Sequence, residues 1–402
     1  MGWFKKLGPG IMFAGAAIGV SHLVQSTRAG ADFGFGLIWA LLLINLIKYP
    51  FFAFGVHYTS RTGQDLLTAF NKMGRWVLVI YFMLTLCTMF TFQTAVTIVT
   101  AGIATSLTGI GTPVVWAGLI LIACFIILIR GRFSVLDQVM KYVVLALTLT
   151  TVLALIFAWF NTASTPSWQQ VIPSSTVGIS FLIAFMGWMP APLDLAIWQS
   201  LWAVEKKQLN PELKERQVRW DFNIGYGTTI IIGLSFILLG GLVMHNQGQE
   251  FSSSGAIFAN QLINMYTQSL GPWSKVFIGI AAFTTMFSTS LSTLDGSPRV
   301  MAKTSSLLFA PGKQINYVTW LIILVLGSVL IYLGLTDKMG TLITVGTVLS
   351  FVSAPFYAII IYRVVTGPSL PKAHHPGRWV KLFSLLAIAS LIGFSLWYLS
   401  RL

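Results

Sequence analysis

Three ionisable side chains, His22, Arg28 and Asp194, occur in otherwise apolar stretches near glycine or proline residues. Charge in an apolar environment is costly, so such residues usually serve a function or have a buried partner. The imidazole of His22 titrates near neutral pH and suits proton coupling. The carboxylate of Asp194 could carry a proton or bind a cation. The alternatives are structural: a hydrogen-bonded packing histidine, and a carboxylate buried beside an amide or a base.

Two further residues extend this set on the same stretch of chain. Gln25 lies between His22 and Arg28 and is also a candidate for contact with a polar ligand. Arg28 could contact an anion, or it could pair with Asp32, one helical turn later, and the spacing favours the pair. The sequence contains no nucleophile–base pair and no closed metal site, so it predicts that the protein is not an enzyme.

The elements that must position these residues are long and apolar. Of 402 residues, 55% are hydrophobic and 9% are charged, whereas a soluble domain carries about 25% charged residues. Apolar runs long enough to cross the hydrocarbon layer recur along the chain. The sequence therefore predicts an all-α membrane protein of about 11 transmembrane helices, near 8–30, 36–58, 76–107, 112–129, 134–160, 176–200, 221–245, 273–294, 315–336, 340–364 and 379–400.

The basic residues predict how these helices are oriented. The net charge is +14, and most Lys and Arg residues fall in connections on one side of the predicted helices. Cytoplasmic connections carry such an excess. We therefore expect a multi-pass protein of the plasma (inner) membrane, with the N-terminus cytoplasmic and the C-terminus outside. No basic stripe with interleaved aromatic residues stands outside the apolar runs, which argues against a nucleic-acid partner.

Two of the predicted helices contain residues that interrupt a helix. Helix 1 has Gly15, Gly19 and Ser21 in mid-span, and helix 6 has Pro190 and Pro192 one residue apart. Proline removes a backbone donor, and unwound backbone within a membrane is tolerated only beside protein or a water-filled cavity. An ordinary proline kink and a glycine packing face are the alternative. Interruptions five helices apart instead predict an inverted repeat with a binding site between the breaks.

The same pattern predicts the domain organisation. We expect a single transmembrane domain over 1–402, with inverted repeats at about 8–160 and 176–364 and an additional helix at 379–400. Because no stretch between the runs is long enough for a soluble domain, the lipid bilayer is the expected partner of nearly the whole chain.

Several short motifs occur in the order and spacing of a known family. Together they resemble the natural resistance-associated macrophage protein (NRAMP) family of metal-ion transporters. The resemblance implies a LeuT-type fold, with a 5+5 inverted repeat, broken helices 1 and 6 and one extra C-terminal helix. It also implies secondary-active transport by alternating access. The motifs are Gly8-Pro9-Gly10, Ala29-Gly30, Leu37-Ile38-Trp39, Arg61-Thr62-Gly63, Met189-Pro190, Arg219 with Asp221, Val348-Leu349-Ser350 and Pro355-Phe356.

The resemblance also reveals a difference at the metal ligands. The family's Asp-Pro-Gly-Asn in helix 1 matches Gly19-Val20-Ser21-His22, so the carboxylate is lost and His22 replaces the amide. Met189 matches the family's ligating methionine, but Ala191 stands where the family has a histidine. Hard cations need oxygen ligands that usually include a carboxylate. Most of the metal ligands that the family would supply are therefore missing from this sequence.

We therefore expect a small polar organic solute or anion as the substrate, held where the breaks present free N–H groups and the positive ends of helix dipoles. Two alternatives stay open: a proton-coupled divalent metal ion transporter with a rebuilt site of His22, Met189 and Asp194, and a membrane sensor that does not transport. For proton coupling or an ion pair the candidates are His22, Asp194 and Arg28. The predicted substrate-binding residues are Gly19, Ser21, His22, Gln25, Met186, Trp188, Met189 and Ala191.

No cofactor is expected, and the coupling ion is H⁺ or Na⁺. No phosphate-binding loop is present, so ATP does not drive transport within this chain. Helix 8 carries hydroxyl groups near the position where LeuT-type relatives bind Na⁺, although such residues are also common in packed membrane helices. They are Thr284, Thr285, Ser288, Thr289 and Ser290.

Overall fold

The computed structural model describes residues 8–130, 133–161, 167–245, 257, 260–264, 267, 271–272, 274–309, 315–334 and 339–400. Within these residues the secondary structure is entirely helical, as predicted. Nine long continuous helices and two interrupted ones form the described part of the chain. The prediction of an all-α membrane protein with eleven helices is confirmed.

The helix bounds follow the apolar runs closely. Helix 1 consists of helix 1a (Pro9–Ala17), a π-helical segment (Ser21–Ser26) and helix 1b (Thr27–Phe33), and helix 6 consists of helix 6a (Thr176–Trp188) and helix 6b (Leu195–Leu209). A short helix, Leu66–Met73, connects helices 2 and 3. The continuous helices are helix 2 (Ile38–Thr62), helix 3 (Arg75–Thr108), helix 4 (Pro113–Arg130), helix 5 (Phe133–Asn161), helix 7 (Glu215–Val243), helix 8 (Ser274–Phe309), helix 9 (Tyr317–Gly334), helix 10 (Met339–Thr366) and helix 11 (Arg378–Leu399).

Helix 8 differs from its prediction because it ends at Phe309 rather than near residue 294. The additional turns are polar, so hydropathy alone ended the helix too early. Asp295 and Arg299 form an ion pair one turn apart, at 2.7 Å, and Trp202 of helix 6b donates to the same carboxylate. These contacts stabilise a helical segment that is too polar to be predicted from an apolar run.

The two halves of helix 1 pack against helix 7 through glycine residues. At the Gly10–Gly225 crossing and at the Gly30–Gly240 crossing, an added methyl group would collide with the backbone of the opposite helix. Asp221 of helix 7 also accepts the N–H groups of Gly8 and Gly10, at 3.0 and 2.7 Å. A carboxylate at this position satisfies free donors and complements the positive end of helix 1a.

The remaining helices divide into a core and a lipid-facing shell. Helix 3 packs along helix 8, and helix 10 packs against helix 6a. Helices 4, 9 and 11 instead expose large apolar side chains such as Leu119, Leu330 and Leu386. Because exposed leucine is stable in hydrocarbon and not in water, this shell is the surface that faces lipid.

We predict that Gly225→Ala destabilises the protein, because the added methyl group overlaps the Gly10 carbonyl and neither backbone can move freely. Overpacking of this kind costs about 1–3 kcal/mol. Thermal unfolding of the purified protein in detergent should show a melting temperature lower by several degrees. Gly227→Ala, on the same helix with nothing within 4 Å of the new atom, should leave it unchanged or higher. Equal effects would contradict the close crossing.

Candidate functional site

A cavity lies between the breaks of helices 1 and 6. Its volume is about 70 Å³, which is room for a few water molecules or a small solute. Helices 1, 3, 6 and 8 contribute its walls. The lining residues are Ala16, Ala17, Gly19, Val20, Ser21, Phe92, Val96, Trp188, Ala191, Pro192, Asp194, Leu195, Trp198, Thr289 and Thr293.

The breaks follow from the residues that the sequence singled out. Helix 1a ends at Ala17, and the chain resumes as a π-helix at Ser21. Helix 6a ends at Trp188, and Pro190 and Pro192 keep the chain unwound until helix 6b begins at Leu195. Neither proline can donate a backbone hydrogen bond, so carbonyl groups at the end of helix 6a lose their partners.

Aromatic side chains form the apolar walls of the cavity. Trp188 packs edge-on against Phe92 of helix 3, with ring centroids 5.5 Å apart. The indole N–H of Trp188 donates to Ser350 of helix 10 at 3.2 Å, which fixes the orientation of the ring. Trp198 lines the cavity from helix 6b, close to the break. Rigid aromatic faces of this kind are typical of sites for organic ligands.

A hydroxyl group of helix 8 lies beside carbonyl groups that the helix 1 break leaves free. The hydroxyl of Thr289 lies 3.1 Å from the Ile18 carbonyl oxygen and 3.3 Å from that of Gly15. Of the hydroxyl-bearing residues predicted on helix 8, Thr289 is therefore the one in contact with the break. The absence of a side chain at Gly19 makes room for Thr289, because a side chain at this position would overlap the Thr289 side chain.

His22 is fully buried and lies behind Ser21 rather than in the cavity lining. Its Nε2 atom is 3.1 Å from the carbonyl oxygen of Thr229 on helix 7, so Nε2 carries a proton. Its Nδ1 atom is 2.8 Å from the Ser21 hydroxyl, which also lies 2.8 Å from the Ala17 carbonyl oxygen. Both ring nitrogens therefore have protein partners, and His22 reaches the cavity only through Ser21.

Asp194 lies at the cavity, immediately before helix 6b. It is the only ionisable side chain among the described residues that line the cavity. It is 5% exposed, and at the N-cap position it makes no side-chain capping hydrogen bond. Its carboxylate lies against the backbone N–H groups of Asp194 and Leu195, and a buried carboxylate beside a cavity can also contact a ligand or take up a proton.

Lys48 is a buried cation that the sequence-based site did not include. Its ammonium group donates to four carbonyl oxygens of the helix 6 break at 2.7 to 3.2 Å. The only signal for it was a lysine in the middle of the apolar run of helix 2. Snorkelling to the membrane surface and internal packing were both compatible with that position, and hydropathy cannot identify an internal partner.

The other predicted residues lie outside the cavity lining. Met186 and Met189 are buried, and they contribute carbonyl oxygens to Lys48 rather than side chains to the cavity. Gln25 is buried within the π-helical segment, and its Oε1 atom has no hydrogen-bond partner. Arg28 forms the ion pair with Asp32 that its spacing favoured, at 3.4 Å. Gly19, Ser21, Trp188 and Ala191 do line the cavity.

The rebuilt metal site of His22, Met189 and Asp194 has little support in this geometry. Within the described residues there is no group of three or more His, Cys, Asp and Glu side chains that could hold a metal ion. Of the three candidates, only Asp194 lines the cavity. The nitrogens of His22 are engaged elsewhere, so the site offers a metal ion one carboxylate and neutral groups.

Comparisons with known proteins agree on family and fold. A model of natural resistance-associated macrophage protein-like proteins matches residues 10–401. An uncharacterised protein of Pasteurella multocida (strain Pm70) is 32% identical over 407 residues, which cover 99% of this chain and 92% of that protein. A match of this extent shows the family.

Solved structures share the fold at low identity. A variant of the manganese transporter of Eremococcus coleocola is 14% identical with a TM-score of 0.76, over 98% of this chain and 86% of the other. Mhp1, a nucleobase-cation-symport-1 family transporter, is 14% identical with a TM-score of 0.63, over 98% and 92%. MhsT, in complex with L-phenylalanine, is 14% identical with a TM-score of 0.61, over 96% and 98%. The predicted LeuT-type fold is confirmed.

We predict that a cysteine at position 16 reacts with a water-soluble thiol reagent, whereas one at position 14 does not. Both residues lie on helix 1a, but Ala16 lines the cavity and Ala14 is fully buried. Only a water-accessible thiol forms the reactive thiolate. Ala16→Cys and Ala14→Cys would be compared by labelling rate in a protein that lacks Cys87 and Cys124. Absence of labelling at both positions would show that water does not enter the cavity, and equally fast labelling would show that position 14 is also open to water.

Proposed function

The chain belongs to the natural resistance-associated macrophage protein-like family, and from this premise we propose that it is a secondary-active transporter of a small polar organic solute. The solute binds in the cavity between the breaks of helices 1 and 6. Movement of the broken helices against the helices around them exposes the cavity to each side of the membrane in turn.

The composition of the cavity wall is the observation that carries this proposal. Phe92, Trp188 and Trp198 supply aromatic surface, while Ser21 and Asp194 supply a few polar groups. Organic ligands are bound by such combinations of apolar surface and sparse polar contacts. Mn²⁺ and Mg²⁺ prefer near-octahedral sets of oxygen ligands instead.

The charge of the cavity favours an organic solute with a neutral or positively charged group over a simple anion. An anion would approach the carboxylate of Asp194, and like charges in a low-dielectric site repel strongly. A zwitterion avoids this conflict, because its cationic end can face Asp194 while its carboxylate lies towards Ser21 at the start of the π-helical segment, where the helix dipole favours negative charge. The aromatic walls add attraction for an ammonium group.

Family membership supports a competing function, divalent metal ion transport. The proteins of known structure with this fold include a manganese transporter. At 14% identity that likeness extends to the fold and not to the cargo. A membrane sensor that does not transport is a third possibility, and solute flux separates it from both transporters.

Coupling to H⁺ or Na⁺ is part of the same proposal. Asp194 is the candidate proton carrier, because it is the carboxylate among the described residues that line the cavity. Thr289 is the candidate contact for Na⁺, because its hydroxyl lies beside the Gly15 and Ile18 carbonyl oxygens. The distribution of basic residues supports an inner-membrane location with a cytoplasmic N-terminus and an external C-terminus.

We predict that Asp194→Asn lowers solute uptake at least about tenfold, a loss of ~1.4 kcal/mol. Asp32→Asn is the matched control, because Asp32 is a partly exposed carboxylate paired with Arg28, and its uptake should stay near wild type. Proteoliposomes would be tested with labelled zwitterionic amino acids and betaines, monocarboxylates and Mn²⁺, under imposed H⁺ or Na⁺ gradients.

Each result of this experiment has a distinct meaning. Saturable uptake of a zwitterion that Asp194→Asn reduces supports the proposal. Saturable Mn²⁺ uptake that Asp194→Asn abolishes would identify a metal transporter. The absence of flux for every labelled solute, in protein that is folded by size-exclusion chromatography and thermal unfolding, would favour the sensor.

A further inference from the structure

The Lys48 ammonium group lies in a complete shell of backbone oxygens. It donates to the carbonyls of Met186 at 3.0 Å, Gly187 at 2.7 Å, Met189 at 2.9 Å and Ala191 at 3.2 Å. The lysine side chain is 0% exposed. Helix 2, which carries Lys48, is otherwise packed against helix 6b and helix 7, so the amine reaches the break from a continuous helix.

The carbonyl groups need this cation because the break leaves them without donors. In an unbroken helix the Met186 carbonyl would accept from residue 190, but that residue is proline and has no N–H. Gly187 lies in the last turn of helix 6a, and Met189 and Ala191 lie in the unwound segment. The negative end of the helix 6a dipole points at the same position.

The geometry also identifies the form of the lysine. All four partner atoms are carbonyl oxygens, which only accept hydrogen bonds. An ammonium group has three donors and no acceptor, so every one of its N–H groups can be used. A neutral amine would direct its lone pair at one of the oxygens. Shells of backbone carbonyls are the arrangement that replaces the hydration of a monovalent cation in selectivity filters.

We propose that Lys48 is a tethered cation that fills a carbonyl site at the helix 6 break and thereby determines the specificity of the centre. With the site filled by the protein's own ammonium group, a metal ion has no place among these oxygens. The charges of Lys48 and Asp194 attract each other, so the buried cation also acts on the carboxylate of the cavity. This inference does not depend on which solute is transported.

The test removes the ammonium group and supplies one from solution. Lys48→Ala leaves both the oxygen shell and the space of the side chain, so the purified variant should melt several degrees below wild type. Ethylammonium chloride should raise its melting temperature in a saturable way, because a ligand that binds only the folded state stabilises it. Sodium chloride at equal ionic strength is the salt control. Wild type should show no ethylammonium-specific shift.

Lys48→Met is the matched control, because it fills most of the space of the lysine chain without its charge. It should also melt below wild type, but ethylammonium should not rescue it. Lys48→Arg retains the cation and should remain folded. If Lys48→Ala folds only when cells and buffers contain ethylammonium, that result supports the proposal as well.

Two results would overturn it. The first is wild-type stability of Lys48→Met, which would mean that the oxygens do not need a cation. The second is a Lys48→Ala variant that stays unstable, or unfolded, at every ethylammonium concentration, which would mean that the shell is not a cation site.

Discussion

Backbone groups that lose their helical hydrogen bonds at membrane depth must find other partners, and this constraint governs the centre of the protein. No water is available in hydrocarbon to satisfy them, and each unsatisfied group costs several kcal/mol. The chain meets the constraint twice, at the breaks of helices 1 and 6. At each break a side chain from another helix donates to the carbonyl oxygens that the break leaves free.

The side chains that contact the two breaks differ in charge. Thr289 of helix 8 contacts the helix 1 break with a neutral hydroxyl, whereas Lys48 of helix 2 contacts the helix 6 break with an ammonium group. A hydroxyl can turn away when another ligand competes for the carbonyl oxygens. A fully buried ammonium group cannot leave its shell without a large loss of solvation. The helix 1 break is therefore the more adaptable of the two, and the helix 6 break is fixed to helix 2.

The fold was predictable from sequence because its causes are local. The lengths and hydropathy of the apolar runs determine the eleven helices, and Pro190 and Pro192 interrupt helix 6 whatever residues surround them in the fold. The contacts of Lys48 and His22 were not predictable, since their partners lie far away in sequence: Lys48 binds oxygens near residue 189, and His22 binds the Thr229 carbonyl. Helix 8 was predicted too short for a related reason, because its polar turns depend on Arg299 and its carboxylate partner.

The lost helix 1 carboxylate and the buried lysine are two parts of one change in electrostatics. A cation bound between the breaks needs a nearby negative charge, and the residue that resembles the family's helix 1 aspartate is Gly19. Without that carboxylate, helix 1 supplies no negative charge to balance a cation that the carbonyl oxygens of the helix 6 break would attract. Lys48 supplies the cation covalently, and its charge attracts that of Asp194 in helix 6. The oxygens of the helix 6 break are thereby occupied before any solute arrives, so a solute in the cavity meets the carboxylate of Asp194 instead of those oxygens, and a zwitterion can place its cationic end there without a net charge left unpaired.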